Sequence, residues 1–408
     1  MLLILNRQIS RNNYYAFLWH AVFLALATNF MDVDTIIPAM MVDAGGSPLH
    51  LGILTAIMLG GGRLAQLFFA PFLSNRSAKK GYLLTGINSR ILALGGMAVL
   101  FYFSSNIGGG YIIFSIFLLI SLFSFSGAFA NINYVDIMGK SVLQEKRKAF
   151  FSVKQIISSI VVFLSAFLAR EILTVYSYPM NYSMLFLLAA VLLGTASLGF
   201  WKIKEISAPN FRISGFTKYL NVIYSEIRTN KKLRNYLLLI NTQGISIVLM
   251  PFLILYAKNM LSAGSRDVGN FLVLKVVGGV LTGSILFYYS KKIKYRVMLY
   301  TTSVIAIIIP LLILILPGQP IFPYIFLAGG IVFTIHRIAM SGVLLEITSN
   351  HNRALYTGLS GAGGILPVLF PFLGGWIVER YGFDLFFVIF MVVVIISLYF
   401  IYKLDCKR

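Results

Sequence analysis

Charge is what this sequence has least of. Asp, Glu, Lys and Arg make up 12% of its 408 residues, against about 25% in a soluble globular domain. That deficit excludes an ordinary water-soluble enzyme. Acids are scarcer still, 13 Asp and Glu against 34 Lys and Arg. Cysteine occurs once, as Cys406, so no internal disulfide can form. Several chemistry-bearing patterns are missing as well. There is no Gly-x-x-x-x-Gly-Lys-Ser/Thr phosphate loop, no His-Glu-x-x-His, no paired cysteine and no Gly-x-Ser-x-Gly. The chain therefore carries no sign of an ATP-driven motor, a zinc site or a hydrolase nucleophile elbow. No cofactor and no metal are expected, and any energy must come from a gradient or from a solute.

A net charge of +21 would suggest nucleic acid if it formed a basic domain. Here the cations sit in short connections between apolar runs, which reads instead as loops beside anionic lipid. Nucleic acid is not an expected partner; the lipid bilayer is.

What the chain has in abundance is hydrophobic residues, 58% of the total. A membrane helix needs about 20 mostly apolar residues, and twelve such runs fall at about 14–41, 49–74, 82–104, 110–138, 149–172, 182–201, 235–257, 267–290, 297–316, 322–347, 354–378 and 383–402. The expected class is an all-α membrane protein with twelve transmembrane helices. On one side of the predicted membrane the connections hold only Arg170, Lys258, Arg266 and Arg380. The other side holds the remaining loop cations, among them Arg76, Lys79, Lys80, Lys140 and Arg147. The positive-inside rule then makes both termini cytoplasmic. Arg7, Arg11 and the run Ala25-Leu26-Ala27 imitate a cleavable signal peptide. The apolar run continues to Met41, however, and cleavage would leave the halves with unequal span counts.

The longest connection, 202–234, divides the chain into an N-terminal bundle over 1–201 and a C-terminal bundle over 235–408. Within it Phe216, Tyr219, Leu220, Ile223 and Ile227 recur at helical spacing, which predicts an amphipathic helix on the membrane surface. The halves also repeat one another at a separation of about 210 residues. Pro71–Lys80 matches Gly283–Lys292, Asp136 matches Glu346, Arg147 matches Arg353, and Arg170 matches Arg380.

On these features the chain resembles the major facilitator superfamily of secondary transporters, over essentially its whole length. The superfamily's signature after the second helix reads Gly-x-x-x-Asp-Arg-x-Gly-Arg-Lys/Arg. Here Arg76, Lys79 and Lys80 are kept, while Pro71, Asn75 and Ala78 replace the first Gly, the Asp and the second Gly. The resemblance implies two pseudo-symmetric six-helix bundles. Spans one, four, seven and ten would line a central cavity about which the halves rock, helped by spans two, five, eight and eleven.

The intramembrane polar residues fit such a cavity. Asn29, Asp32 and Asp34 interrupt span one, and a carboxylate at the centre of a membrane helix costs about 2.5–3.5 kcal/mol on insertion scales unless it faces water or a cation. On an ideal helix Thr28, Asn29, Asp32 and Thr35 share a face, with Asp34 about 200° from Asp32. Arg63 and Gln66 lie on span two, Asn131 on span four, Gln243 on span seven, Lys275 on span eight, and His336 and Arg337 on span ten. Deep cations outnumber deep acids, which favours an anionic or zwitterionic solute. A span-one carboxylate is the expected coupling site for a proton or other cation. Pairing of Asp32 or Asp34 with Arg63 or Lys275 is the structural alternative. Arg76, Lys79, Lys80, Asp136, Arg147, Glu346 and Arg353 are read as cytoplasmic gate residues. Arg90 and Lys154 are expected to snorkel or to bind Asp136, and His20 to be a packed histidine.

The expected protein is a monomeric secondary transporter of the inner (plasma) membrane, with a small-molecule substrate and no enzymatic activity. A multidrug permease, a polytopic membrane enzyme and a transport-dead scaffold are the rival readings.

Overall fold

The computed structural model describes residues 5–62, 69, 72–73, 76, 78–206, 224–289, 292–316, 318, 320–347, 360–361 and 363–404. Among these residues the regular structure is helical throughout. Ten stretches of the described residues are long and apolar enough to cross a membrane. The predicted spans 49–74 and 354–378 run into residues outside the described set. The predicted linker helix falls there too, apart from its end, where Ile227 packs on the C-terminal core.

The chain folds into two compact units, Met1–Asp32 with Gly61–Phe216, and Val33–Gly60 with Thr217–Arg408. Both carry a skin of exposed large apolar side chains, such as Leu92, Phe114, Leu118, Ile160 and Leu164 in the first and Leu281, Ile285 and Leu311 in the second. Side chains of this kind cover a surface whose solvent is lipid. The protein is a multi-pass membrane protein.

In the first unit α1 (Arg7–Thr28) precedes four long helices, α4 (Lys80–Tyr102), α5 (Gly109–Ser141), α6 (Gln144–Val175) and α7 (Met180–Trp201). Asn6 caps α1 by accepting from the Ile9 amide at 2.8 Å. The side chain of Asn13 then ties α1 to the chain ends around it. It donates to the carbonyls of Ser141 and Lys204 and accepts from the Lys204 amide. Tyr14, Phe17, Tyr134, Phe150 and Phe200 form a network of edge-on aromatic contacts at that end of the unit.

The second unit begins with two short helices, α2 (Ile36–Asp43) and α3 (Pro48–Ala56). Ser47 and His50 close a capping box over the start of α3, with Pro48 at its first turn, where a missing N–H costs nothing. Then follow α8 (Lys231–Gln243), α9 (Leu249–Met260), α10 (Ser265–Tyr288), α11 (Tyr295–Ile315), α12 (Phe322–Ile347), α13 (Leu366–Tyr381) and α14 (Phe383–Tyr402). Glycines set the closest crossings. A Cβ on Gly330 would overlap the Lys275 carbonyl, and one on Gly278 would overlap that of Leu327, so α10 and α12 meet backbone to backbone. Gly382, at φ +86°, turns α13 directly into α14.

The first and seventh spans are not continuous helices. After Thr28 the chain tightens into a 3₁₀ turn over Asn29–Met31, and Asp32 turns extended at φ −62°, ψ 124° before α2 starts at Ile36. After Gln243 a 3₁₀ turn over Gly244–Ile247 precedes α9. The causes are parallel. Each interruption is rich in weak helix formers, Asn29, Asp32, Asp34 and Thr35 in one and Gly244 and Ser246 in the other. Each following helix has a proline as its third residue, Pro38 or Pro251. A proline there loses no helical bond, but it cannot extend a helix arriving from upstream. The face shared by Thr28, Asn29, Asp32 and Thr35 on a continuous helix therefore does not exist.

Candidate functional site

The interruption in span one places three buried polar side chains in succession. Asn29 is committed to structure. Its Nδ2 donates to the Val162 carbonyl at 2.5 Å and the Ser165 hydroxyl at 2.9 Å, binding α1 to α6. Asp32 is buried at the extended residue of the break. Asp34 is buried in the second unit and meets the Lys275 ammonium at 2.5 Å. Lys275 also lies 5.8 Å from the ring centre of Phe333. The pairing alternative for Asp34 is thus the observed one, with Lys275 as its partner.

The interruption in span seven carries the second group. Gln243 is fully buried, and its Oε1 lies 2.9 Å from His336 Nδ1 while its Nε2 donates to the Leu299 carbonyl. Two neighbours, Asn241 and Tyr236, have partners that the sequence does not reveal. Asn241 donates to the Gly363 carbonyl at 2.7 Å and accepts from the Leu366 amide at 2.8 Å, fixing the start of α13. The Tyr236 hydroxyl reaches the Met340 carbonyl and Ser360. Asn241 had a visible signal, a polar residue one turn before Gly244, but its partners lie more than a hundred residues away.

Asn131 and Arg337 are exposed on the surfaces of α5 and α12. Arg63, Gln66 and Arg353 lie outside the described residues.

The expected gate residues separate into two kinds. Asp136 pairs with Lys79 at 3.1 Å and with Lys140 at 2.8 Å. The Lys80 ammonium donates to the carbonyls of Trp201 and Ile203. The amides of Lys79 and Lys80 both donate to the carboxylate of Glu205, so this acid, unremarked in the sequence, caps the positive end of α4. Arg147 donates to the carbonyls of Val142 and Gly139. By contrast Arg76 lies exposed over the Phe72 ring, and Glu346 is exposed. Of the two alternatives for Arg90 and Lys154, snorkelling or binding Asp136, the second is not taken. Asp136 is held instead by cations from the loop and from its own helix. Arg90 packs over Phe123 at 4.2 Å, and Lys154 lies 5.8 Å from the Tyr134 ring centre.

Three further contacts in the second unit went unpredicted. Lys258 binds Asp43 at 2.7 Å. Glu379 accepts from the Ser47 hydroxyl at 2.8 Å and the Leu49 amide at 2.9 Å. These two donors hold the exposed Glu379 carboxyl below its ordinary range. Among the described residues, no group of three or more His, Cys, Asp or Glu is placed to hold a metal ion.

The fold as a whole recurs in known structures. The nucleoside transporter NupG, solved as a point variant, aligns with 14% identity over 96% of this chain and 100% of that one, at a TM-score of 0.69. The xylose transporter XylE from E. coli aligns with 11% identity over 97% of each chain, also at 0.69. A peptide transporter POT variant bound to alafosfalin aligns with 13% identity over the whole of both chains, again at 0.69. The chain has the major facilitator fold. No protein-family model matches the sequence, and no curated protein does. At such identities the likeness carries the fold but not the solute.

Proposed function

We propose that the chain is a secondary transporter that moves a small organic solute across the inner membrane by alternating access. We take it to act as a monomer with both termini cytoplasmic. The observation that carries this reading is the pair of interrupted spans, each presenting buried polar side chains where a lipid-facing helix would have none. Discontinuous helices give a transporter backbone carbonyls, amides and charges at membrane depth without exposing them to lipid. Three solved structures with this fold are transporters by name, of nucleosides, xylose and peptides. That breadth fits a scaffold whose solute is set by a few side chains. The basic excess among the deep residues supports an anionic or zwitterionic solute.

We assign proton or cation coupling to Asp32. It is a buried carboxylate at the extended residue of span one, where a change of charge alters the cost of membrane burial most. The test is flux into proteoliposomes under an imposed pH gradient, across a panel of organic anions, zwitterions and cations. Asp32→Asn is expected to abolish gradient-driven accumulation while leaving counterflow exchange. Unchanged accumulation in that variant would remove Asp32 from coupling. Movement of hydrophobic cations alone would remove the anionic and zwitterionic preference.

A further inference from the structure

The first unit encloses a polar cluster that none of the roles above uses. His20 on α1 is buried and stacks on Phe200 with ring centres 3.9 Å apart, and its ring centre lies 6.1 Å from that of Tyr134. Arg90 on α4 lies on the ring of Phe123 and alongside Gly127. Lys154 on α6 has its ammonium 5.8 Å from the ring centre of Tyr134. The charged groups that act on His20 are Arg90 and Lys154, both cations. The helices packed around it contribute Tyr134 from α5 and the Ala196 backbone from α7.

Three polar atoms of this cluster are buried with no hydrogen-bond partner among the described residues: Nδ1 of His20, Nε of Arg90 and the hydroxyl of Tyr134. Buried polar groups nearly always find partners. Three without one among the described residues, on three different helices of one unit, are donors and acceptors that a polar ligand can complete. Their chemistry says which kind. Arg90 Nε is a charged donor that no proton loss can silence. The Tyr134 hydroxyl donates or accepts. The other ring nitrogen of His20 is bonded to the Ala196 backbone, so in the neutral ring Nδ1 carries a lone pair and accepts.

We propose that Arg90, Tyr134 and His20, backed by the charge of Lys154, bind the polar head of the transported solute. That head is a carboxylate with a hydroxyl or ammonium donor on the adjacent carbon. Arg90 and Tyr134 take the carboxylate oxygens, and His20 Nδ1 accepts from the neighbouring donor. This rests on the transporter reading for the word solute, but the binding site is testable without flux.

The measurement is thermal stabilisation and equilibrium binding on the full chain in phosphatidylcholine nanodiscs, so that no anionic lipid headgroup competes. The probes are lactate, alanine and propionate, which share a carboxylate and differ in the α-substituent. Lactate or alanine is expected to bind and stabilise, with propionate at least several-fold weaker. Arg90→Gln is expected to weaken binding by about tenfold or more, the loss typical of a charged hydrogen bond. Tyr134→Phe keeps the ring packing and removes only an unpartnered hydroxyl. It is expected to leave unliganded stability unchanged while weakening the probe several-fold, which covers the case in which Arg90→Gln does not fold. Equal binding of all three probes would refute the adjacent donor. No binding of any probe, or full binding by both variants, would refute the site. Binding without flux would preserve the site and sink the transporter reading. Flux whose KM is unchanged in Tyr134→Phe and Arg90→Gln would do the reverse.

Discussion

The Asp34–Lys275 pair offers the sharpest test of how this fold tolerates charge at membrane depth. The two groups meet at 2.5 Å with side chains 9% and 11% exposed. Lys275 cannot swing away freely, because its backbone is clamped where Gly330 of α12 touches its carbonyl. Replacing Lys275 by Met keeps the side-chain length and strands the Asp34 carboxylate. Breaking one side of a buried pair costs about 3–5 kcal/mol, because the remaining charge keeps its desolvation penalty without its partner. Asp34→Asn should cost a comparable amount through the stranded ammonium. The double variant Asp34→Asn/Lys275→Met removes both charges and should recover most of the loss, since apolar or neutral replacements of buried pairs are often neutral. The assay is detergent-titrated unfolding of the four proteins in mixed micelles, read as a double-mutant cycle. A coupling energy of about 2 kcal/mol or more is expected. If the single losses simply add, the two charges are solvated independently. The pair would then contribute nothing to holding the Ile36–Asp43 segment on α10, and the argument from burial fails.

Three further outcomes follow from contacts elsewhere. The Glu379 carboxyl is held below its ordinary range by Ser47 and Leu49. Its contribution to stability is therefore complete above about pH 4.5 and fades as the pH falls through the lowered value. Unfolding midpoints measured from pH 7 to pH 3 should show a shallower acid loss in Glu379→Gln than in the parent, and identical profiles would count against the contact. Gly330→Ala should destabilise by about 1–3 kcal/mol or more, because the new methyl meets the Lys275 backbone rather than a movable side-chain end. An unaffected unfolding midpoint would show that α10 and α12 separate easily. Asn241→Leu removes the bonds to Gly363 and Leu366. It should cost about 1–3 kcal/mol, with faster amide exchange confined to the start of α13 as the discriminating signature.

How much of this was legible beforehand follows the range of each interaction. Spans, loops and the pseudo-repeat are local or periodic features, and the helices α4 to α7 and α10 to α12 stand where apolar runs end in polar connections. Even the breaks were half-written. Asn29, Asp32 and Asp34 do not belong in a lipid-facing helix, and they mark the break. The angle an ideal helical wheel assigns between Asp32 and Asp34 has no meaning where Asp32 is extended. What sequence could not supply was partner choice. Asp136 lies near several loop cations in sequence, and chain geometry gave it Lys79 and Lys140. That choice left Arg90 on Phe123 and Gly127 with an unanswered Nε. A deep arginine satisfied by an acid would have been architecture. One that packs on an aromatic ring, with its Nε unpartnered among the described residues, is the feature that separates a binding position from a structural one.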